Sequence, residues 1–251
     1  MRILAVVSHP DDEMIGMAVF LASLRAPCAI IHVTDGAPRT GGDARDAGCA
    51  TWREYADLRR RELECALAFS RIPAATLCLH CPDQRAAWHI ARHAKLLARI
   101  FDSGEFPAVF THPYEGGHPD HDATAAAVHA AAALAKRRPA LFEFTSYHAG
   151  ARGIECECFL GDNAESPSAL LTAAAQAWKR RVIDCFRSQS RVLSQFPLRY
   201  EPLRAAPLYD FSRPPHPGEP WYQNFQWGVD ASQWLKLASC AFRELGISCV
   251  C

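Results

Sequence analysis

Through its first half the chain alternates short apolar runs with helix patterns, and this alternation restricts the fold more than any other feature. Ile3–Val7, Cys28–Val33, Ala75–Leu79, Ala108–Thr111 and Leu141–Tyr147 read as strands, the first two as buried on both faces. Between them Glu13–Leu24, Trp52–Phe69, Arg85–Phe101 and the alanine-rich Pro119–Lys136 read as helices. Asp11 or Asp12 opens the first of these as N-cap, and Pro139 follows the end of the last. Thr34–Pro38 reads as a loop after the second strand, and the glycines and charges of Arg39–Gly48 predict a long exposed loop. Strands and helices in strict succession predict an α/β, Rossmann-like three-layer sandwich with a mainly parallel sheet. In such a sheet ligands sit at the carboxyl ends of the strands, where the strand order reverses.

After about residue 150 the pattern changes. Glu155–Leu160 reads as a strand, Ala169–Arg187 and Ala231–Leu245 as helices. Pro197–Pro220 is rich in proline and aromatic residues and predicts ordered covering structure. The expected organisation is one domain over residues 1–251, with a catalytic core at 1–150 and a C-terminal extension at 151–251 packed on it.

Bulk properties exclude several classes of function. Lys plus Arg equals Asp plus Glu, at 27 each, so no overall charge draws the chain to nucleic acid or to an anionic membrane. No apolar run reaches the roughly 18–20 residues that span a bilayer. The apolar start Ile3–Val7 meets Ser8-His9-Pro10-Asp11-Asp12 where a signal peptide needs small uncharged residues, which predicts a cytoplasmic protein. The 11 cysteines are odd in number and scattered, which argues for buried free thiols over a disulfide framework. Cys78-Leu79-His80-Cys81 has metal-like spacing but no second pair, so alternation along a buried strand explains it better. Cys156/Cys158 and Cys249/Cys251 carry equally little.

Two polar clusters carry the chemistry. His9-Pro10-Asp11-Asp12-Glu13 follows the first strand and leads into a helix. Acids at a helix N-terminus complement the helix dipole, which accounts for the carboxylates but leaves His9-Pro10 unexplained. An imidazole and a carboxylate aimed at one point suit zinc, iron(II) or a related divalent ion. The turn lacks the glycine pattern of a dinucleotide site, and its negative charge would repel a pyrophosphate. The second cluster, Thr111-His112-Pro113-Tyr114-Glu115-Gly116-Gly117-His118-Pro119-Asp120-His121-Asp122, follows the fourth strand. In Rossmann order the first and fourth strands are neighbours, so the two clusters converge. Of His118 and His121, one can complete the metal site while the other faces substrate. Three protein ligands with an open water position is the catalytic zinc pattern. Gly116-Gly117 allows a close approach of backbone and substrate.

These paired motifs resemble the PIG-L/LmbE-like family of zinc-dependent N-deacetylases. Weaker matches are Thr34-Asp35-Gly36, Arg59 with Glu62, and Leu79-His80-Cys81-Pro82-Asp83, so the resemblance covers roughly residues 1–150. It implies that His9, Asp12 and His121 bind the metal, zinc or another divalent ion such as iron(II), and that Asp11 is the general base. It implies that His118 stabilises the oxyanion or protonates the leaving amine, with Asp120 orienting it and raising its pKa. It places Arg59 and Asp83 where relatives contact substrate. One departure stands out: mycothiol-pathway relatives carry a tyrosine two residues before the first histidine of the second motif. Here that position is Gly116, and Tyr114 is the candidate to replace it.

The implied activity is removal of an N-acetyl group from an N-acetylglucosamine-type amino sugar or conjugate by metal-activated water. The alternatives are an amidase for a larger amide, such as a thiol conjugate, and a non-catalytic Rossmann-like ligand-binding domain. The partner is then a small N-acyl substrate, not nucleic acid; a homo-oligomer is compatible with the sequence. His112 reads as a strand-end histidine bonded to backbone, with a place behind the ligands or as an alternative ligand as the other reading, and His148 as a secondary substrate-site candidate. Trp221, Tyr222, Trp227 and Trp234 read as core, with one of them free to border a sugar pocket.

Overall fold

The computed structural model describes residues 2–24, 26–151, 153–161 and 170–251. The chain runs β1 (Ile3–Val7), α1 (Asp12–Ser23), β2 (Cys28–Pro38), α2 (Gly42–Asp46), α3 (Trp52–Ser70) and β3 (Ala74–Asp83). It continues with α4 (Ile90–Asp102), β4 (Ala108–Thr111), α5 (Pro119–Leu134), β5 (Ala140–Phe144), β6 (Tyr147–Gly150) and β7 (Gly153–Cys156). Helix α6 (Ala173–Ile183), the short α7 (Ser190–Leu193), β8 (Leu203–Ala205) and α8 (Ala231–Leu245) complete it. Six strands form one sheet in the order β3-β2-β1-β4-β5-β8. All neighbours are parallel except β8, which adds antiparallel to β5. The fold is the α/β, Rossmann-like sandwich, and its switch point lies between β1 and β4.

Each face of the sheet buries its own core, because successive side chains of a strand point to opposite sides. Leu4 and Val6 of β1 pack with α4, α5 and α8. Ile3, Ala5 and Val7 pack with α1, α3 and α6 on the other face. Residues after 150 thus cover both faces. Glu201 shows how they attach. Helix α1 is kinked at Met17 (φ −152°), and the Glu201 carboxylate accepts the N–H groups of Val19 and Phe20, both at 2.9 Å. The same carboxylate pairs with buried Lys179 of α6 at 2.7 Å.

Several elements differ from the sequence reading. β2 continues through Pro38 and β3 through Asp83, because Thr34 pairs with Cys81 and Pro38 with Asp83 where a loop was expected. β3 is an edge strand with an exposed middle, so Cys78–Cys81 does not sit on a buried strand. The loop after β2 contains α2. A 3-10 turn at Ala86–His89 precedes α4, so the helix expected from Arg85 starts at Ile90. The fifth strand ends at Phe144, and Tyr147 opens a separate two-stranded hairpin, β6–β7, which shares only Glu155 and Cys156 with the strand expected at Glu155–Leu160. Ala169, the expected start of α6, lies outside the described residues; the helix begins at Ala173. All 11 cysteines are free thiols.

Gly16 of α1 sits against β5: a Cβ built there would lie 2.0 Å from Cδ2 of buried Phe144. In an open helix, Gly→Ala stabilises by about 1 kcal/mol. Here overpacking of roughly 1–3 kcal/mol opposes that gain. Gly16→Ala is therefore expected to lower the urea midpoint of unfolding. An unchanged or raised midpoint would show that α1 and β5 separate freely.

Candidate metal centre

The two motifs meet at the carboxyl ends of β1 and β4. Ser8 Oγ donates to the Asp120 carbonyl at 2.9 Å and lies 2.8 Å from Thr124 Oγ1, which fastens the end of β1 to α5. The second motif is shaped by helix capping. His118 is the N-cap of α5, Pro119 occupies the first helical position, and the Asp120 N–H donates to His118 Nδ1 at 3.1 Å. Asp122, one turn in, accepts the N–H groups of Glu115 and Gly116 through Oδ1 and fixes the preceding turn.

Donor atoms of three side chains form a small triangle, with Asp12 facing His9 through Oδ2 and His121 through Oδ1. His9 Nδ1 lies 3.4 Å from Asp12 Oδ2 and 3.2 Å from His121 Nε2, and His121 Nε2 lies 3.2 Å from Asp12 Oδ1. Ligands held at roughly 2.0–2.1 Å in tetrahedral geometry are spaced about 3.3 Å apart, so the triangle fits one face of a zinc-like site. Electrostatics fits as well. Asp11, Asp12, Asp83 and Asp120 are all buried or nearly so around His9, and Arg59 is the guanidinium paired there among the described residues. Buried carboxylates in such excess need a compensating cation.

The described residues also group His9 with His118 and His121, Asp12 with His112 and His121, and His9 with Asp83 and Asp120. On the far side of His9, Nε2 lies 3.1 Å from Asp83 Oδ1 and 3.6 Å from Asp120 Oδ2. Both Asp120 oxygens already accept backbone N–H groups, from Gln84 at 2.6 Å and from Ala86 at 2.9 Å. The Asp83–His9 contact has the form of the carboxylate–imidazole pairs that orient metal-ligating histidines. Burial opposes charge on His9, but Asp83 and Asp12 outweigh it and raise its pKa. His112 Nε2 accepts the Ser8 N–H at 3.1 Å, lies 3.2 Å from Asp12 Oδ2, and stacks flat on His121 with centroids 4.0 Å apart. It makes the backbone bond expected of a strand-end histidine, and it also lies against Asp12 and His121, as the alternative reading of a residue beside the ligands had it. The stack holds the His121 ring, whose buried Nδ1 has no partner.

Four further residues sit differently from the sequence expectation. Arg59 is buried, donating from Nη2 to Asp11 Oδ2 at 3.0 Å and from Nη1 to the Gly36 carbonyl at 2.9 Å. It holds Asp11 in place. Gly36 (φ +65°) must be glycine, since a Cβ there would meet the Arg59 guanidinium at 3.0 Å. Asp120 touches His118 through its backbone N–H, and its carboxylate turns to the amides and to His9. Burial and then His9 push the His118 pKa down to about 3, against Asp120, which is the reverse of the expected rise. With Nδ1 occupied as an acceptor, neutral His118 presents Nε2–H as its donor. Tyr114 is in the core between Phe211 and Trp234, and its hydroxyl donates to the Arg213 carbonyl at 2.7 Å. Gly117 meets the chain's own backbone: a Cβ there would lie 1.9 Å from the Tyr147 carbonyl.

Sequence reasoning missed Tyr147. Its ring packs edge-on against His121, with centroids 5.7 Å apart, and burial with the nearby carboxylates of Asp12 and Asp83 raises its pKa. Trp227 packs at a tilt against His118, with centroids 4.5 Å apart, and stacks on Phe225 at 4.4 Å, while Tyr222 and Trp234 are core. A Trp followed by Gly in the aromatic segment was the available signal for Trp227. Glu62 accepts the N–H and hydroxyl of Ser188, which ties α3 to the C-terminal part.

Fold and site together define a Rossmann-like α/β protein with a buried His/Asp metal-binding group at its switch point. The chain belongs to the PIG-L family, described as GlcNAc-PI de-N-acetylase, whose pattern matches residues 4–132. None of the curated proteins matches it. Among solved structures it is similar to the zinc-inhibited form of teicoplanin deacetylase Orf2, with 17% identity and a TM-score of 0.57 over 79% of this chain and 89% of that one. It is also similar to N,N'-diacetylchitobiose deacetylase from Pyrococcus horikoshii, at 18% identity and 0.58 over 82% and 84%. A third is the A40926 pseudoaglycone deacetylase Dbv21, at 20% identity and 0.58 over 77% and 84%. At these identities the likeness is one of fold.

If Asp83 orients His9, Asp83→Asn is expected to weaken divalent-metal affinity about 10–100-fold. A metal titration reads this directly. Unchanged metal affinity with a raised KM would instead assign Asp83 to substrate.

Proposed function

We propose that this protein is a metal-dependent N-deacetylase that removes the acetyl group from an N-acetylglucosamine-type amino sugar or conjugate. The observation that carries the reading is the triangle of His9, Asp12 and His121, with Asp11 next to it in sequence and His118 packed edge-on to His9 at 4.6 Å. Membership of a family described as a GlcNAc-PI de-N-acetylase supports the reaction class. The deacetylase titles of the similar structures agree with it.

His9, Asp12 and His121 would hold the ion, and their donor set suits Zn²⁺, with Fe²⁺ the other candidate. When bound, a divalent ion there supplies Lewis acidity and brings the pKa of water toward about 7. Asp11 is the base. Burial pushes its pKa up to about 6 against the opposing Arg59, so it is ionised at neutral pH yet more basic than an exposed carboxylate. As water adds to the amide carbonyl, Asp11 takes its proton, and His118 donates from Nε2 to the developing oxyanion. When the C–N bond breaks, the proton passes from Asp11 to the amine, leaving acetate and a free amino sugar. Neutral His118 suits this role, since an oxyanion needs a placed donor and not a full positive charge. Arg59 keeps the Asp11 carboxylate in one rotamer. Trp227, lying on His118, offers an aromatic face for the sugar ring.

Asp11→Asn is expected to retain the metal and lose about 10²–10⁴-fold in rate, the usual contribution of a placed acid–base group. His121→Ala is expected to lose the metal itself. Acetate release from N-acetylglucosamine derivatives, compared with other N-acyl compounds, gives the readout alongside metal analysis. Near-wild-type turnover by Asp11→Asn would remove the base assignment. Preference for longer acyl groups would favour the larger-amide reading.

A further inference from the structure

A second cluster of donors lies on the β6–β7 hairpin, outside the triangle. His148 of β6 and Glu155 of β7 are cross-strand partners, and Cys158 follows β7 by two residues. One donor atom from each lies within 4.8 Å of the others. His148 is buried, and its two nitrogens are differentiated. Nδ1 lies 3.1 Å from Oε2 of Glu115, a carboxylate 1% exposed whose Oε1 has no partner. Nε2 faces the Glu155 carboxylate at 3.7 Å.

This is the arrangement of a ligating histidine. A buried carboxylate takes the proton on one ring nitrogen, fixes the tautomer and ring plane, and leaves the other nitrogen's lone pair for an ion. We propose that His148 Nε2, Glu155 and Cys158 form a second metal site, for a borderline divalent ion such as Zn²⁺ that accepts nitrogen, oxygen and thiolate together. Without metal a proton fills that role. Burial works against charge on His148, but its contacts with Cys158 and Glu115 hold its pKa up to about 10. Metal uptake would displace a proton from His148.

The site would act on the first one through the backbone. Tyr147, adjacent to His148, places its ring against His121 and its carbonyl against Gly117. Glu115 itself lies in the turn of the second motif that Asp122 holds. An ion bridging β6, β7 and Cys158 would therefore fix the hairpin as a wall of the catalytic pocket. Its role is structural and does not depend on the deacetylase reading.

The two sites differ in one property that a spectrum reads: only the hairpin site contains sulfur. The full-length protein, stripped by chelation and titrated with Co²⁺, is expected to develop a near-ultraviolet thiolate-to-cobalt charge-transfer band. That band is expected to persist in His121→Ala and to disappear in Cys158→Ser and in His148→Gln. Absence of the band in the wild type, or its survival in either hairpin variant, would overturn the proposal.

Discussion

His9 is clamped from both sides. One ring nitrogen faces Asp12 and His121, and the other faces Asp83 and Asp120. The rest of the pocket follows from that clamp. A buried imidazole among several carboxylates is costly unless a cation joins them. The switch point of the sheet is where such a cation and its substrate can be reached, because β1 and β4 diverge there to opposite sides. The surrounding hydrogen bonds serve to keep the carboxylates from rearranging. Gln84 and Ala86 hold Asp120, Arg59 holds Asp11, and the His9 N–H holds Asp12 at 2.6 Å.

The partners of Asp11, Asp12 and Asp83 give each a different electrostatic environment. Asp12 has its pKa lowered: burial alone would raise it, but His121, His112 and His9 outweigh that. Asp83 is lowered by His9 and then His118, against burial. Asp11 alone among these three is raised, because burial exceeds the effect of Arg59. Environments that push neighbouring carboxylates apart in this way separate ligand from base. The separation arises from which histidines and arginine each carboxylate meets, not from the carboxylates themselves.

Much of this was legible in the sequence. The apolar runs at Ile3–Val7 and Ala108–Thr111 located the two central strands, and their order brought the two polar clusters together; the choice of His121 over His118 came from the family resemblance. What was not legible depends on pairing across distance. Periodicity ended β2 at Val33 because Thr34–Pro38 looks like a loop; its pairing with Cys81 and Asp83 makes it strand. Asp83 and Arg59 were expected at the substrate, yet their partners are His9 and Asp11, which no local pattern reveals. Tyr114 lies in a motif rich in site residues, but the aromatic cluster of Phe211 and Trp234, more than ninety positions away, draws it into the core. Tyr147 and the hairpin went unread because Leu141–Tyr147 has the pattern of one strand, whereas the sheet pairing stops at Phe144.

The account rests on where a divalent ion binds among these histidines and carboxylates. Anomalous diffraction at the zinc absorption edge, from crystals of the zinc-loaded protein, addresses that directly. The account predicts a peak about 2.0–2.1 Å from His9 Nδ1, an Asp12 oxygen and His121 Nε2. A peak on the Nε2 side of His9, between Asp83 and Asp120, or no peak at the triangle, would contradict it.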